Sequence, residues 1–174
     1  LEAKGFGHLA LSLNFNKAGP NGMPCNVLRN IAESVLRILS EEYFTAPYEY
    51  DENGAREEWK SHQPDDRSGQ IAQKRVKKFL EACAKRHSTP YDRLRVEVRD
   101  VLIAEGHHWG VVRLDQLWVR KVEPQNTPWV CDNCQQIHWH ASGGVCARCT
   151  AHLSVEPNGV LASQQIESAH YHGN

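Results

Sequence analysis

Residues 128–134 read Pro-Trp-Val-Cys-Asp-Asn-Cys, and residues 143–149 read Gly-Gly-Val-Cys-Ala-Arg-Cys. Each stretch holds two cysteines with two residues between them, and eleven residues separate the two pairs. A two-residue gap lets a tight turn bring two thiolates to one ion, and two such turns complete the tetrahedron that zinc prefers. We therefore predict one Zn²⁺ site, with iron as the alternative metal. The site is structural because four thiolates leave no open coordination position. Its predicted ligands are Cys131, Cys134, Cys146 and Cys149.

The chain of 174 residues is 40% hydrophobic and 24% charged, which indicates one domain with room for a small appendage. This composition excludes collagen-like, low-complexity and wholly disordered chains. No apolar run approaches the roughly 20 residues that span a bilayer, and no secretory pattern opens the chain. Paired cysteines favour metal binding over disulfides, so we expect a cytoplasmic location without membrane contact. Because the chain begins at Leu1 and not at Met, we expect it to be a piece of a longer protein.

The periodicity of apolar residues predicts an α+β fold. Apolar stripes at helical spacing indicate three helices, and alternation indicates short strands. Two of those strands, joined by Asp115-Gln116, are expected to form a hairpin. With the helices this arrangement is winged-helix-like, and no internal repeat is evident. The predicted helices are 26–44, 70–87 and 90–105, the strands lie at 9–15 and in 110–122, and the domains are a body at 1–122 with a polar insertion at 45–70, a zinc ribbon at 123–155 and a poorly defined tail at 156–174.

Positive charge is concentrated in the middle third of the chain. Residues 71–122 carry 12 basic and 6 acidic side chains, whereas residues 1–70 carry 7 and 11, and residues 123–174 carry 1 and 4. A polyanion such as DNA or RNA is expected to contact this region. The predicted nucleic-acid-binding residues are Lys74, Arg75, Lys77, Lys78, Lys85 and Arg86 on the second helix, and Arg113, Arg120 and Lys121 on the wing.

The ten histidines include the pairs His107-His108, His138/His140 and His170/His172. We predict that they are solvated surface residues. A histidine-dependent nuclease is the alternative, but eleven residues between the cysteine pairs cannot hold the strand–strand–helix unit that it needs. Trp139 is the best candidate for stacking on a base, and the equal alternative is that it covers the small core of the ribbon. No phosphate-binding loop or Asp-Glu-Ala-His box occurs, so the chain shows no catalytic motif and its status as an enzyme stays open.

The stretch 129–153 resembles the four-cysteine zinc segment of large bacterial superfamily-two helicases. These are DEAD/DEAH-box enzymes of antiphage defence systems such as Druantia and DISARM, and the residues 109–114 and 117–119 also fit this resemblance. It implies that the parent protein is an ATP-dependent nucleic-acid translocase, and that this piece is an accessory region beside the motor domains. Only the four cysteines are carried over, as zinc ligands.

A protein-protein scaffold is the rival hypothesis. Within the predicted ribbon Arg148 is the only basic side chain, whereas phosphate binding needs lysines and arginines. A zinc-stabilised scaffold without intrinsic nucleic-acid affinity would place the ribbon and the acidic ends against another domain. Of the two isolated cysteines, Cys83 falls on the apolar side of a predicted helix and is expected in the core.

Overall fold

A computed structural model describes residues 7–12, 15–41, 45–46, 71–107, 112–113, 116–123 and 125–159. Within them the fold is α+β, as predicted, with three helices and six short strands. The helices are α1 (Cys25–Glu41), α2 (Ile71–Arg86) and α3 (Tyr91–Ala104). The strands are β1 (Gly7–Ala10), β2 (Thr45–Ala46), β3 (Val112–Arg113), β4 (Trp118–Lys121), β5 (Trp129–Val130) and β6 (Ile137–His138), and single 3-10 turns lie at Pro20–Gly22 and Ser142–Gly144.

Helix α1 is the centre of the molecule. Its apolar stripe, which includes Leu28, Ile31 and Leu36, is fully buried against α2 and α3. The opposite side of the helix is buried too, because strand β1 and the turn Ser142–Gly144 cover it. Polar residues on that side are therefore buried and hydrogen-bonded inside the protein. Glu33, Ser34 and Arg37 are these residues.

Helices α2 and α3 form a tight pair on α1. Phe79, Leu80 and Cys83 of α2 are fully buried, which confirms Cys83 as a core residue. After α3, Gly106 adopts a φ of 85° and lets the N–H of His107 bond to the Leu102 carbonyl at 2.9 Å. This left-handed closure is the end that the sequence predicts, because glycine carries no Cβ that would oppose it. The three predicted helices are thus confirmed, with ends shifted by one to three residues.

The short strands pair differently from the prediction. Strand β4 pairs antiparallel with β1, with Leu9 opposite Val119, and β3 pairs parallel with β2, with Thr45 opposite Val112. The hairpin predicted within 110–122 is therefore wrong for its described residues, because each of its strands bonds to a distant segment. The Asp115-Gln116 link lacks the glycine or asparagine chemistry of a tight hairpin turn. The predicted winged-helix-like arrangement consisted of three helices and a hairpin wing, and the structure has the helices without this hairpin among the described residues.

The first strand is shorter than predicted and starts earlier. It covers Gly7–Ala10, not residues 9–15. Beyond it, two carboxylates take the backbone N–H groups that a continuing strand would offer to a neighbour: Glu33 accepts from Leu11 at 3.1 Å, and Glu105 accepts from Ser12 at 2.7 Å. Of the predicted insertion at 45–70, the structure describes only β2, and residues 47–70 lie outside the described residues.

The cysteine-rich segment packs onto the helical body. Val145 and Ala147, which flank Cys146, belong to the same hydrophobic core as α1, α2 and α3. At its far end, Asn158 pairs its side-chain amide with both the N–H and the carbonyl of Val130, at 2.8 and 3.1 Å. Residues 156–159 of the predicted tail therefore border strand β5, and residues 160–174 lie outside the described residues.

Candidate metal centre

The four paired cysteines lie together. Their sulfurs are all within 4.8 Å of one another, with 3.5 Å between Cys131 and Cys149 and 3.6 Å between Cys134 and Cys146. A tetrahedral ion with sulfurs at about 2.3 Å would hold them about 3.8 Å apart, whereas a disulfide bond measures about 2.05 Å. The cysteines are therefore free thiols at the spacing of ligands around one ion. The predicted clustering is confirmed, and the site can hold a metal ion such as zinc.

The first pair of cysteines sits in a knuckle-shaped turn after strand β5. The N–H of Cys131 donates to the Gln136 carbonyl at 3.0 Å, and the N–H of Gln135 donates to the Cys131 carbonyl at 2.8 Å. To close this turn, Gln135 takes a φ of 58°, a left-handed conformation that is uncommon outside glycine. The turn aims both sulfurs to one side.

The second pair repeats this turn fifteen positions later, from Cys131 to Cys146 and from Cys134 to Cys149. Thr150 takes the left-handed φ of 61°, and flanking strand contacts recur as well. Outside the cysteines, the two segments 129–138 and 144–153 share only Val130 and Val145. The two turns therefore share a backbone conformation without a repeat in the sequence, and they are the paired turns that the cysteine spacing predicts. The recurring hydrogen bonds join backbone N–H groups to carbonyls: Cys146 donates to Ala151 at 2.8 Å, Thr150 donates to Cys146 at 2.9 Å, and Leu153 donates to Gly144 at 3.0 Å.

The chemistry of the sulfurs fits a divalent cation. Burial raises the pKa of Cys134 and of Cys146 above the ordinary thiol value. Cys149 differs: although burial opposes this, hydrogen bonds from Asn133 and from the N–H of Ala151 lower its pKa to about 6. Four crowded sulfurs cannot all be thiolates at neutral pH without a compensating positive charge. A bound metal ion supplies that charge and deprotonates its thiols outright.

Hydrogen bonds anchor the cysteine segment to the helices. The hydroxyls of Ser142 and Ser34 are 2.6 Å apart in the interior, and Arg37 of α1 donates to the Ile137 carbonyl at 2.7 Å. From α2, Arg75 donates to the Ala147 carbonyl at 3.4 Å. Just beyond the end of α2, the ring of His87 meets the Gly143 carbonyl at 2.8 Å. The cysteine segment and helix α2 are thus attached to each other near both ends of the helix.

Several histidines are buried, and the prediction that they are solvated is wrong for these. His8, His107 and His138 have at most 4% of their surface exposed. Burial, followed by the charge of Arg37, lowers the pKa of His138 to about 3. His8 and His138 lie in the layer of chain that covers the polar side of α1, and packing against this helix buries both rings. The sequence carries only a weak signal of this, the alternation of His138 and His140 about a tryptophan.

His8 and His140 belong to a buried ionisable cluster. Their ring centroids are 5.5 Å apart. The N–H of Ser142 donates to Nδ1 of His140 at 3.1 Å, so the neutral ring carries its proton on Nε2, which faces Glu33 Oε2 at 4.0 Å. Burial lowers the pKa of His140 well below its ordinary value, and the adjacent His8 adds to this. Burial and then the guanidinium of Arg120 lower the pKa of His8 to about 4.

The basic side chains predicted on the second helix divide into two groups. Arg75 bonds to Glu41 at 2.8 Å, and Arg86 packs against the backbone of Gly144, so both are half-buried and engaged within the protein. The others point to solvent, with no ion pair among the described residues. They lie within an arc of about 100° on the helix, which also contains the exposed Glu81. These residues are Lys74, Lys77, Lys78 and Lys85, and we refer to them as the lysine face.

The three basic residues predicted on the wing have different surroundings. Arg113 is half-buried and its N–H donates to His107 Nδ1 at 3.2 Å. Arg120 lies 4.0 Å from Glu33, and Lys121 is exposed beside Glu123 at 3.8 Å. Of the aromatic side chains, Trp139 is half-buried, whereas Trp118 on β4 is 57% exposed.

Comparison of this chain with protein-family models, with curated proteins and with solved structures gives no match. Among the described helices, none combines the length and the apolar character that crossing a bilayer requires.

Proposed function

We propose that this chain is a zinc-stabilised module that binds nucleic acid through the lysine face of α2. The observation that carries the proposal is the exposure of four lysines on one side of a helix whose other side is fixed in the core. The apolar side of α2, with Val76, Phe79 and Leu80, is buried, so the lysines cannot turn inward. A helix held in this way presents a fixed row of positive charge.

The lysine face has the dimensions and charge of a backbone-contacting surface. From Lys74 to Lys85 the helix rises about 16 Å, which corresponds to roughly five base steps of one strand. Glu81 is the only acidic residue within the arc, which leaves a net charge of +3 from Lys74, Lys77, Lys78, Lys85 and Glu81. Contacts of this kind position a protein on DNA or RNA without reading its sequence.

The metal centre supports this function by holding α2 in place. Arg75 near the start of α2 and His87 just after its end both bond to backbone carbonyls of the cysteine segment. Zinc is the metal that we propose, because four thiolates and no oxygen ligand suit it. The free cysteines agree with a reducing, cytoplasmic setting. We further propose that the module is an accessory region of a larger ATP-dependent helicase in bacterial defence, for which the resemblance of segment 129–153 is the support.

A salt series with a charge-matched control tests the proposal. The variant Lys74→Gln, Lys77→Gln and Lys78→Gln removes three positive charges from the lysine face. The control variant Gln125→Glu, Asn126→Glu and Thr127→Glu changes the net charge equally at three exposed residues elsewhere. We expect wild type and control to bind DNA with an affinity that falls steeply with salt, and the lysine variant to lose up to about 2.7 from the log–log salt slope, about 0.9 per phosphate.

Fluorescence anisotropy with duplex and single-stranded probes is the measurement. Undetectable binding by the wild type, or an equal slope in both variants, would contradict the proposal. That result would instead favour the second candidate function, a zinc-stabilised scaffold. The observation in favour of a scaffold is the apolar exposure on β4, where Trp118 and Val119 are 57% and 53% exposed. Single exposed apolar residues are common, so the lysine face carries more weight.

A further inference from the structure

The repeated knuckle turns make the metal centre nearly symmetric, and His138 is where the symmetry fails. Each knuckle has one fully buried cysteine, Cys131 or Cys146, with 1% and 0% of its surface exposed. Four positions after the second cysteine of the first knuckle stands His138, and the equivalent position of the second knuckle holds Leu153. Both side chains are buried beside the sulfurs, but only His138 can form a hydrogen bond.

The ring of His138 meets one sulfur of the opposite knuckle. Its Nε2 lies 3.4 Å from Cys146 Sγ. A thiolate bound to a metal ion has no proton to give, so the ring nitrogen is the donor in this contact. The N–H of Arg148 reaches the same sulfur at 3.4 Å. Cys146 therefore accepts one hydrogen bond from the backbone and one from a side chain.

The backbone around His138 fixes the direction of the ring. Strand β6 pairs His138 with Trp129 of β5, and the preceding carbonyl, that of Ile137, accepts a 2.7 Å bond from Arg37 on α1. His138 itself has 1% of its surface exposed, so water does not compete for the ring nitrogen. A donor held rigidly beside a metal ligand in this way orients that ligand and adjusts its electron density.

We propose that His138 is a positioning residue of the metal centre. It donates its Nε2–H to the Cys146 thiolate and makes Cys146 less reactive than Cys131, the other buried ligand. This inference rests on the metal centre of the proposed function, but not on nucleic-acid binding. The hydrogen bond withdraws charge from the sulfur, which lowers its nucleophilicity and slows its attack on electrophiles. Cys131 has Leu153 at the matching position and lacks this protection.

Wild-type protein alone provides the first test. The zinc-loaded chain is exposed briefly to N-ethylmaleimide, and mass spectrometry locates the modified cysteines at low conversion. We expect Cys131 to be alkylated several-fold faster than Cys146, although both are buried to the same degree. Equal rates, or faster modification of Cys146, would overturn the inference without need of a variant.

Variants at residue 138 provide the second test. In His138→Leu the two knuckles become alike, and we expect a 10- to 100-fold loss of zinc affinity in chelator competition. His138→Gln keeps an N–H donor and should recover most of this loss, which a purely packing role would not predict. With Co²⁺ in place of zinc, His138→Leu should shift the sulfur-to-cobalt charge-transfer band to lower energy, because the thiolate regains charge.

The outcomes separate this inference from the proposed function. If wild-type protein takes up neither Zn²⁺ nor Co²⁺, the metal centre and the inference both fail. If it takes up metal and His138→Leu matches the wild type in affinity and in spectrum, only the role of His138 fails. If His138→Leu does not fold, the alkylation order of the wild type still decides.

Discussion

Gly143 occupies the point of closest approach between the cysteine segment and α1. Its φ is 64°, and a Cβ added there would lie 2.5 Å from Cγ1 of Ile31, which is fully buried. No side chain fits this space, and Ile31 cannot move without disturbing the core. Close packing against Ile31 therefore explains the glycine at position 143.

We predict that Gly143→Ala lowers the free energy of unfolding by about 3 kcal/mol. About 1 kcal/mol comes from the left-handed backbone, and the rest comes from overpacking against Ile31. The matched control is Gly22→Ala, at a φ of 76° with nothing within 4 Å of the added Cβ, which should cost about 1 kcal/mol. Urea unfolding measures both, and equal losses would show that the contact with Ile31 does not constrain the fold.

His8 makes the stability of the protein depend on pH. Its pKa is lowered from 6.5 to about 4, chiefly by burial and then by Arg120 and Arg37. Between pH 6.5 and 4 the imidazole of His8 is therefore protonated in the unfolded chain but neutral in the folded chain. The free energy of unfolding falls as the pH falls through this window. The charges that act on His8 are those of Arg120 and Arg37, and both oppose its protonation, while the ring of His140 lies beside it with centroids 5.5 Å apart.

We predict that wild type loses about 2 kcal/mol more than His8→Gln between pH 6.5 and pH 4, after allowance for partial solvent screening. Glutamine fills similar space and does not titrate, and both proteins carry the same cysteines and other histidines. The difference between their two pH profiles therefore isolates His8. Parallel unfolding profiles by chemical denaturation would contradict the assignment of a neutral buried imidazole at this position.

At the residue scale, the sequence predicts that the four cysteines lie together, because a gap of two residues is what a tight turn needs to bring two sulfurs to one ion. It does not predict His138, since its partner Cys146 lies on the opposite knuckle and no local pattern links the two. The sequence also does not predict the left-handed turn conformations of Gln135 and Thr150, because such a conformation is usually indicated by a glycine. When a residue other than glycine adopts a left-handed conformation, a single sequence gives no indication of it.

Among the elements, the helices follow from the sequence and the strand pairs do not. Apolar residues at helical spacing determine α1, α2 and α3 locally, and Gly106 marks the end of α3. Strands of two to four residues carry too little pattern to choose a partner. Thus β4 pairs with β1 across more than a hundred residues, and the adjacent β3 pairs with β2.

Helix α1 shows why an amphipathic pattern does not settle what covers each side of a helix. Its stripe predicts one buried side, and the polar side is expected in water. In the structure, Ser34, Glu33 and Arg37 bond instead to Ser142, to the N–H of Leu11 and to the Ile137 carbonyl. The polar side of α1 is the surface against which the cysteine segment packs. A sequence cannot distinguish such an internal interface from a solvated one.

At the scale of the whole molecule, the metal centre and the helical body share one core. Val145 and Ala147 are buried with residues of all three helices, so the turn around Cys146 cannot loosen without opening that core. Binding of a metal ion to the four cysteines would therefore stabilise the helical body as well, because the free energy of binding adds to that of folding. The domain boundary predicted at residue 123 stays a prediction.

We predict that loss of the metal destabilises the entire described fold, including the helices that touch no cysteine ligand. Chelation, or the variant Cys146→Ser, should lower the midpoint of thermal unfolding by about 10 °C, which corresponds to roughly 3 kcal/mol for a chain of this size. The helical signal in circular dichroism should melt at the lowered temperature in a single transition. The control variant is Cys25→Ser, at an isolated, half-buried cysteine outside the sulfur cluster.

The metal content of the purified chain tests the central claim most directly. Elemental analysis of wild type, Cys25→Ser and Cys146→Ser, prepared without added metal, measures zinc per chain. We expect one zinc per chain in the first two proteins and a large loss in Cys146→Ser. A wild-type chain that holds no stoichiometric metal, and that unfolds at the same temperature with and without a strong chelator, would contradict the proposed structural zinc site.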